Sequence, residues 1–178
     1  LKNSCNYFFY TIASRMGADG ETLYQYAEKL GLASKTNIDL PGEIKSIVGS
    51  QTSLYDPSRP ITGRDQDTWL PVQVKTQIKK HLKKIGEKYG YEYSDERLDK
   101  CCKALMDMAL TTDQGAKGIG WTQAIRPILM EELGMSMEMV WKAEVVTDLF
   151  GYLNDIKWGG SYTIMTAIGQ SITMTTPI

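Results

Sequence analysis

The clearest helical signal in the chain lies in residues 72–89, VQVKTQIKKHLKKIGEKY. Its apolar residues recur three or four positions apart, which is the period of one face of an α-helix; they are Val74, Ile78, Leu82, Ile85 and Tyr89. The same spacing predicts helices over residues 6–16, 22–30, 95–110, 121–133 and 137–154. The sequence therefore predicts a mainly α fold.

Capping and breaking residues refine these helices. Ser94 and Ser136 precede two of them, at the position where a hydroxyl satisfies free backbone amides. Pro127 is expected to start or kink the helix at 121–133, because proline lacks an amide proton. Between residues 32 and 71 the periodicity fades while proline and glycine recur, which predicts an irregular connection.

Composition excludes several function classes. The chain has 178 residues with 20 basic and 21 acidic side chains, and this balance argues against a dedicated nucleic-acid-binding protein. The chain has one histidine and three cysteines, and we expect neither a metal nor a cofactor. The cysteines are expected to be free thiols.

Four features of the middle of the chain admit a chemical and a structural interpretation, and the structural one is favoured each time. The lysines of residues 72–89 could contact an anionic surface, but a solvated face over a core stripe is the simpler interpretation. The loop Gly115–Gly120 lacks the pattern of a phosphate-binding loop. Cys101 and Cys102 lie on an apolar helical stripe, which favours packing. His81 is assigned no role.

Near the N-terminus, Ser4, Cys5 and Asn6 open an aromatic helix that continues Tyr7-Phe8-Phe9-Tyr10. Taken alone, the tripeptide is an ordinary helix cap. The residues that follow it in order carry more information; they are Gly17, Leu23, Tyr26-Ala27, Leu30-Gly31-Leu32, and Thr36-Asn37-Ile38-Asp39-Leu40-Pro41-Gly42-Glu43.

Together these residues resemble the transpeptidase domain of the penicillin-binding proteins, where a Ser-x-Asn motif opens an aromatic helix. The far end agrees with the same family through Trp158, Ala167-Ile168-Gly169-Gln170 and Thr176-Pro177. The resemblance covers residues 1–43 and 158–178. It implies a helical subdomain of a transpeptidase-like domain, with residues 44–157 as a long, mostly helical insertion.

Three departures from the family pattern matter. Asn37 replaces a glycine, and asparagine tolerates the same left-handed backbone. Ser171 replaces the last glycine of the family's Ile-Gly-Gln-Gly run. Two catalytic motifs are missing, because none of the eleven serines has lysine three residues later and no Lys-Thr-Gly occurs. Since the chain starts at Leu1 and stops at the helix-start signature Thr176-Pro177, we expect an internal piece of a longer protein.

The resemblance also implies a mechanism. In this family a serine attacks the D-Ala-D-Ala carbonyl of a peptidoglycan stem peptide and forms an acyl-enzyme, and β-lactams mimic that dipeptide. By this resemblance Ser4 belongs to the proton path, and Asn6 binds the substrate's amide backbone and orients the lysine beside the nucleophile. The parent enzyme is expected at the extracytoplasmic face of the bacterial cell membrane. The isolated chain, without the nucleophile, is expected to be inactive.

Two alternatives stay open at this point. One is a non-catalytic β-lactam-sensor relative, whose motifs would look the same within this window. The other is a helical interaction module, in which residues 44–157 bind cell-wall synthesis proteins. Met135, Met137 and Met139 could form a surface for such partners, although core packing explains them equally well.

Overall fold

The computed structural model of the chain describes residues 5–37, 43 and 46–171. Within these ranges, every secondary-structure element longer than one residue is a helix. The mainly α fold is therefore confirmed. A 3₁₀ turn, Ala116–Gly118, precedes the sixth helix. The α-helices are α1 (Asn6–Met16), α2 (Glu21–Lys29), α3 (Gln51–Leu54), α4 (Leu70–Tyr89), α5 (Asp95–Thr111), α6 (Ile119–Leu133), α7 (Met137–Val140), α8 (Ala143–Val146), α9 (Asp148–Asp155) and α10 (Gly160–Ala167).

Five of these helices begin and end within two residues of the bounds that apolar spacing predicts: α1, α2, α4, α5 and α6. Ser94 caps α5 as expected, because its hydroxyl accepts a hydrogen bond from the Arg97 amide at 3.3 Å. Helix α6 continues through Pro127, so this proline lies inside the helix rather than at its start.

The prediction of one helix over 137–154 is wrong. The chain forms three short helices there, α7, α8 and α9, because Lys142 adopts an extended backbone (φ −73°, ψ 130°) between the first two. The β-branched residues Val140, Val145 and Val146 are weak helix formers, which makes such a break inexpensive. The buried residues shift as well, since Ala143 is exposed and Leu149 is fully buried.

Contacts along the chain define two compact units. The two-segment unit comprises Leu1–Asp56 with Trp158–Ile178, and the central unit comprises Pro57–Lys157. The segments predicted from the sequence, 1–43, 44–157 and 158–178, are bounds of a family domain and its insertion. The compact units do not test such bounds, so the segments stay a prediction.

The core of the central unit is built around α5. This helix packs against α4 and α6 and also contacts α9. Its buried face carries Leu98, Cys101, Cys102, Leu105, Met106 and Ala109, all fully buried. The stripes predicted for α4 and α5 therefore do face the core, apart from Tyr89, which is half-buried.

In the two-segment unit, α1 packs against α10. Ala13 is the residue of α1 that is fully buried, and Gly160 lies close to the end of α1, where a Cβ on it would be 3.5 Å from the Gly17 carbonyl oxygen. Much of the aromatic surface of α1 is exposed, including Tyr7 (80%) and Phe8 (58%).

Candidate active-site segment

Asn6 lies in the first turn of α1 and is exposed to solvent. The preceding residue, Cys5, occupies the capping position with an extended backbone, and its side chain makes no capping hydrogen bond. The amide of Asn6 has no hydrogen bond to another residue that the structure describes. Ser4, the other predicted site residue, lies outside the described residues. Of the predicted pair, the structure therefore places Asn6 alone.

The face of α1 that begins at Asn6 borders a pocket that the sequence did not predict. Residues four apart lie on one side of a helix, so Asn6, Tyr10 and Ser14 share a face. Tyr10 and Ser14 line an open pocket of about 440 Å³ with Arg15 of α1 and Ile164 of α10. The only sequence signal for it is the hydroxyl and cationic side chains at helical spacing on an otherwise apolar helix.

The start of α2 is fixed by Asp19. Its carboxylate accepts hydrogen bonds from the Thr22 hydroxyl at 2.6 Å and from the backbone amides of Thr22 and Glu21 at 3.0 and 3.1 Å. These bonds, the Thr22 hydroxyl first, lower the pKa of Asp19 below its usual value. The negative charge also suits the positive end of the helix dipole.

Trp158 joins three parts of the two-segment unit. Its indole Nε1–H donates to the Thr163 hydroxyl of α10 at 2.9 Å, and its backbone amide donates to the Gln51 side chain of α3 at 2.8 Å. The ring lies so close to Gly20 that a Cβ there would be 2.7 Å from a ring carbon. A tryptophan near the far end of the chain thus packs beside the start of α2.

The segment around Asn37 bears out one expectation from the sequence. Asn37 has φ +57°, the left-handed conformation expected where the family pattern has glycine. The Glu43 carboxylate accepts hydrogen bonds from the Thr36 hydroxyl at 2.6 Å, from the Thr36 amide and from the Asn37 amide at 3.1 Å. These bonds, the Thr36 hydroxyl first, hold the pKa of Glu43 below its usual value.

The lysines of α4 are only partly a solvated face. Lys75, Lys79 and Lys83 pair with two aspartates of α5, Asp95 and Asp99, at 2.9 to 3.3 Å. No helix among the described residues is long and apolar enough to cross a bilayer.

The glycine-rich loop before α6 is an ordered connection rather than a phosphate cradle. The Gly120 amide donates to the Gln114 carbonyl at 2.9 Å, and the Trp121 indole donates to the Thr112 carbonyl at 3.0 Å. The carbonyl groups of the loop thus accept hydrogen bonds from residues at the start of α6.

Cys101 and Cys102 are fully buried, and burial raises the pKa of both thiols, that of Cys102 to about 12. The three cysteines are free, as predicted. In the described part of the chain, no three His, Cys, Asp or Glu side chains are grouped as metal ligands. His81 lies 6.5 Å from Tyr152, ring centre to ring centre, with its Nε2 buried and unpaired among the described groups.

The described N-terminal segment is helical, and its first helix begins with the solvent-exposed amide of Asn6. Further along the segment, Asn37 has a left-handed backbone and its amide donates to the Glu43 carboxylate. Residues 1–63 match the family model of the penicillin-binding protein transpeptidase domain, which confirms the resemblance seen in the sequence over this segment. Comparison of the chain with curated proteins and with solved structures gives no match.

Proposed function

We propose that the chain is the part of a penicillin-binding D,D-transpeptidase that contributes Ser4 and Asn6 to the active site. The parent enzyme cross-links peptidoglycan stem peptides through a serine acyl-enzyme. The observation that carries the proposal is the exposed amide of Asn6 at the start of α1, inside the segment that matches the transpeptidase family.

Asn6 suits this task chemically. A carboxamide donates and accepts hydrogen bonds at the same time, so one side chain can hold the backbone of a stem peptide and a neighbouring lysine. Because Asn6 makes no hydrogen bond within the described structure, no internal contact has to be broken first. A hydroxyl such as that of Ser4 can accept a proton and donate one from the same atom, as a relay to the leaving amine requires.

The nucleophile and the Lys-Thr-Gly strand come from parts of the parent beyond the printed sequence. The chain alone therefore neither acylates with a β-lactam nor cross-links peptides. The parent acts at the extracytoplasmic face of the bacterial membrane, where stem peptides and β-lactams reach it.

The test is β-lactam acylation of the parent protein with Asn6→Ala. Loss of a group that orients substrate and the catalytic lysine is expected to slow acylation by about 10²-fold. Asn154→Ala is the matched control, because Asn154 is an exposed asparagine of α9 in the central unit. An unchanged acylation rate in the Asn6 variant would contradict the role assigned to this residue.

The isolated chain offers an independent test by intact-mass spectrometry after incubation with a penicillin. The expected result is an unmodified mass. A covalent adduct would show that a nucleophile within these 178 residues does the chemistry.

The alternatives differ in observable ways. A β-lactam sensor would acylate but would not pass an acyl group to an amine acceptor, so an acceptor assay with the parent separates it from a transpeptidase. The methionine surface suggested for an interaction module is largely absent, because Met135 (3% exposed) and Met139 (4%) are buried and only Met137 (59%) is accessible.

A further inference from the structure

The central unit contains a pocket that plays no part in the Ser-x-Asn segment. It has a volume of about 430 Å³ and lies between the first turns of α4 and helix α9. Its lining includes two aromatic side chains, Trp69 and Tyr152, and four polar ones, Gln73, Thr76, Gln77 and Asp155. This volume lies within the ordinary range for small-molecule sites.

Trp69 is held in place and yet open to solvent. Its ring lies against Gly63, where a Cβ would be only 2.5 Å from Cη2, so the loop before α4 fits the indole because it has no side chain there. The indole remains 63% exposed. A large aromatic side chain that is fixed on one side and bare on the other is a pre-organised contact surface for a ligand.

The loop that carries Trp69 is braced by its own hydrogen bonds. The buried Gln66 amide donates to the carbonyls of Arg59 and Pro60, at 3.2 Å each. Arg59 forms an ion pair with Asp67 at 3.0 Å. These bonds tie residues 59 and 60 to residues 66 and 67, just before Trp69 in the chain.

The polar lining indicates what kind of ligand fits. Gln73 and Gln77 are exposed and lie one turn apart on the same side of α4, and their side-chain amides make no hydrogen bond to other described residues. Each amide both donates and accepts, which matches hydroxyl and acetamido groups. Asp155 is the one charged lining residue, and the absence of any cation among the lining residues disfavours a phosphate or a carboxylate ligand.

We propose that this pocket binds the glycan backbone of a peptidoglycan strand. A pyranose ring presents an apolar C–H face that can stack on Trp69 and an edge of hydroxyl and N-acetyl groups for Gln73 and Gln77. For its ligand the proposal rests on the proposed function, because that function brings the chain to peptidoglycan. In this proposal the central unit binds the glycan strand, and the Ser-x-Asn segment of the parent acts on the stem peptides.

The test is titration of the full 178-residue chain with tetra-N-acetylchitotetraose, an N-acetylated glycan without any peptide, followed by calorimetry. Saturable binding is expected. Trp69→Ala should weaken it about tenfold or more, since loss of a central aromatic contact has effects of this size. Trp141→Ala is the matched control, because Trp141 is 62% exposed in the same unit and does not line the pocket; it should leave binding unchanged.

A second variant guards against misfolding. Gln77→Ala removes one exposed amide from a helix and suits helix propensity, so the fold is retained while binding weakens. No saturable binding by the unchanged chain, or equal losses in the Trp69 and Trp141 variants, would overturn the proposal. Binding of a free stem peptide at this pocket instead of the glycan would overturn it too. Acylation of the parent is measured separately, so failure of the glycan site and failure of the transpeptidase proposal are distinguishable.

Discussion

At the scale of single residues, the three thiols differ in reactivity because they differ in burial. Cys5 is exposed, whereas Cys101 and Cys102 are buried with raised pKa values. Only the thiolate attacks a disulfide reagent, so the buried pair is both inaccessible and protonated at neutral pH. We expect Ellman's reagent to titrate one thiol in the native chain and three in denaturant. Cys5→Ser should abolish the native reaction, and rapid modification of the remaining pair would contradict the burial.

Gly118 is a position where only glycine fits. It is buried with φ +74°, and a Cβ there would be 2.2 Å from Cε2 of Phe150. Gly118→Ala should lower the free energy of unfolding by about 2 kcal/mol or more, since backbone strain adds to the displaced ring. Gly151→Ala is the control, because a Cβ at Gly151 in α9 meets no atom within 4 Å. Its effect should stay within about 1 kcal/mol in denaturant titrations. Similar losses in both variants would contradict this reasoning.

At the scale of elements, apolar spacing predicts the long helices well and the short ones poorly. Helices α4 and α5 each present one continuous stripe to the core, so their period is visible in the sequence. Residues 137–154 also have apolar residues at helical spacing, which favours one long helix. Three successive short helices bury apolar residues there instead. Helix α3 is four residues long and depends on paired hydrogen bonds between Ser50 and Ser53, which no periodicity can reveal.

The ion pairs between α4 and α5 make the stability of the central unit depend on pH. Hydrogen bonds from Lys83 and Lys79 lower the pKa of Asp95, and a hydrogen bond from Lys79 lowers that of Asp99. Because the folded pKa values lie below the unfolded ones, the stabilisation is present above about pH 4 and is lost as the pH falls further.

Because the folded pKa values are lowered, we expect the thermal unfolding midpoint to drop between about pH 5 and pH 3. This is the range in which a free aspartate takes up its proton. Asp99→Asn should reduce the drop, while Glu92→Gln, at an exposed carboxylate in the α4–α5 connection, should leave it unchanged. High salt should lessen the drop, because the pairs are partly exposed. A drop that is the same in all three proteins would exclude these ion pairs as its cause.

At the scale of the whole molecule, helices α1 and α2 and the residue that caps the end of α2 leave large apolar side chains in solvent. Tyr7, Phe8, Tyr26 and Leu30 are 80%, 58%, 62% and 74% exposed. Exposed apolar side chains in such number favour association. We expect the isolated chain to form larger species as its concentration rises, measured by light scattering. Phe8→Ser with Leu30→Ser should shift it toward the monomer, and Ile119→Ser, at a comparably exposed residue of α6, should not. A strictly monomeric chain at all concentrations would contradict the expectation.

The candidate site was predictable only as a motif. The Ser-x-Asn pattern and its neighbours pointed to Ser4 and Asn6, and the left-handed backbone at Asn37 followed from the chemistry of asparagine. The pocket beside Trp69 could not be predicted from the sequence. It depends on the absence of a side chain at Gly63, where the indole packs, and on the hydrogen bond from the Gln66 amide to the Arg59 carbonyl in the same loop. Such loop geometry has no period, and its contacts join residues that no motif connects.

The central proposal is that this chain is part of an acyl-serine transpeptidase whose nucleophile lies outside the printed sequence. Determining the coding sequence on both sides of the segment tests it most directly. The account predicts Ser-x-x-Lys upstream of Ser4 and Lys-Thr-Gly downstream of Pro177. Absence of both motifs would remove the catalytic meaning of Ser4 and Asn6, and would leave a helical binding module as the better description.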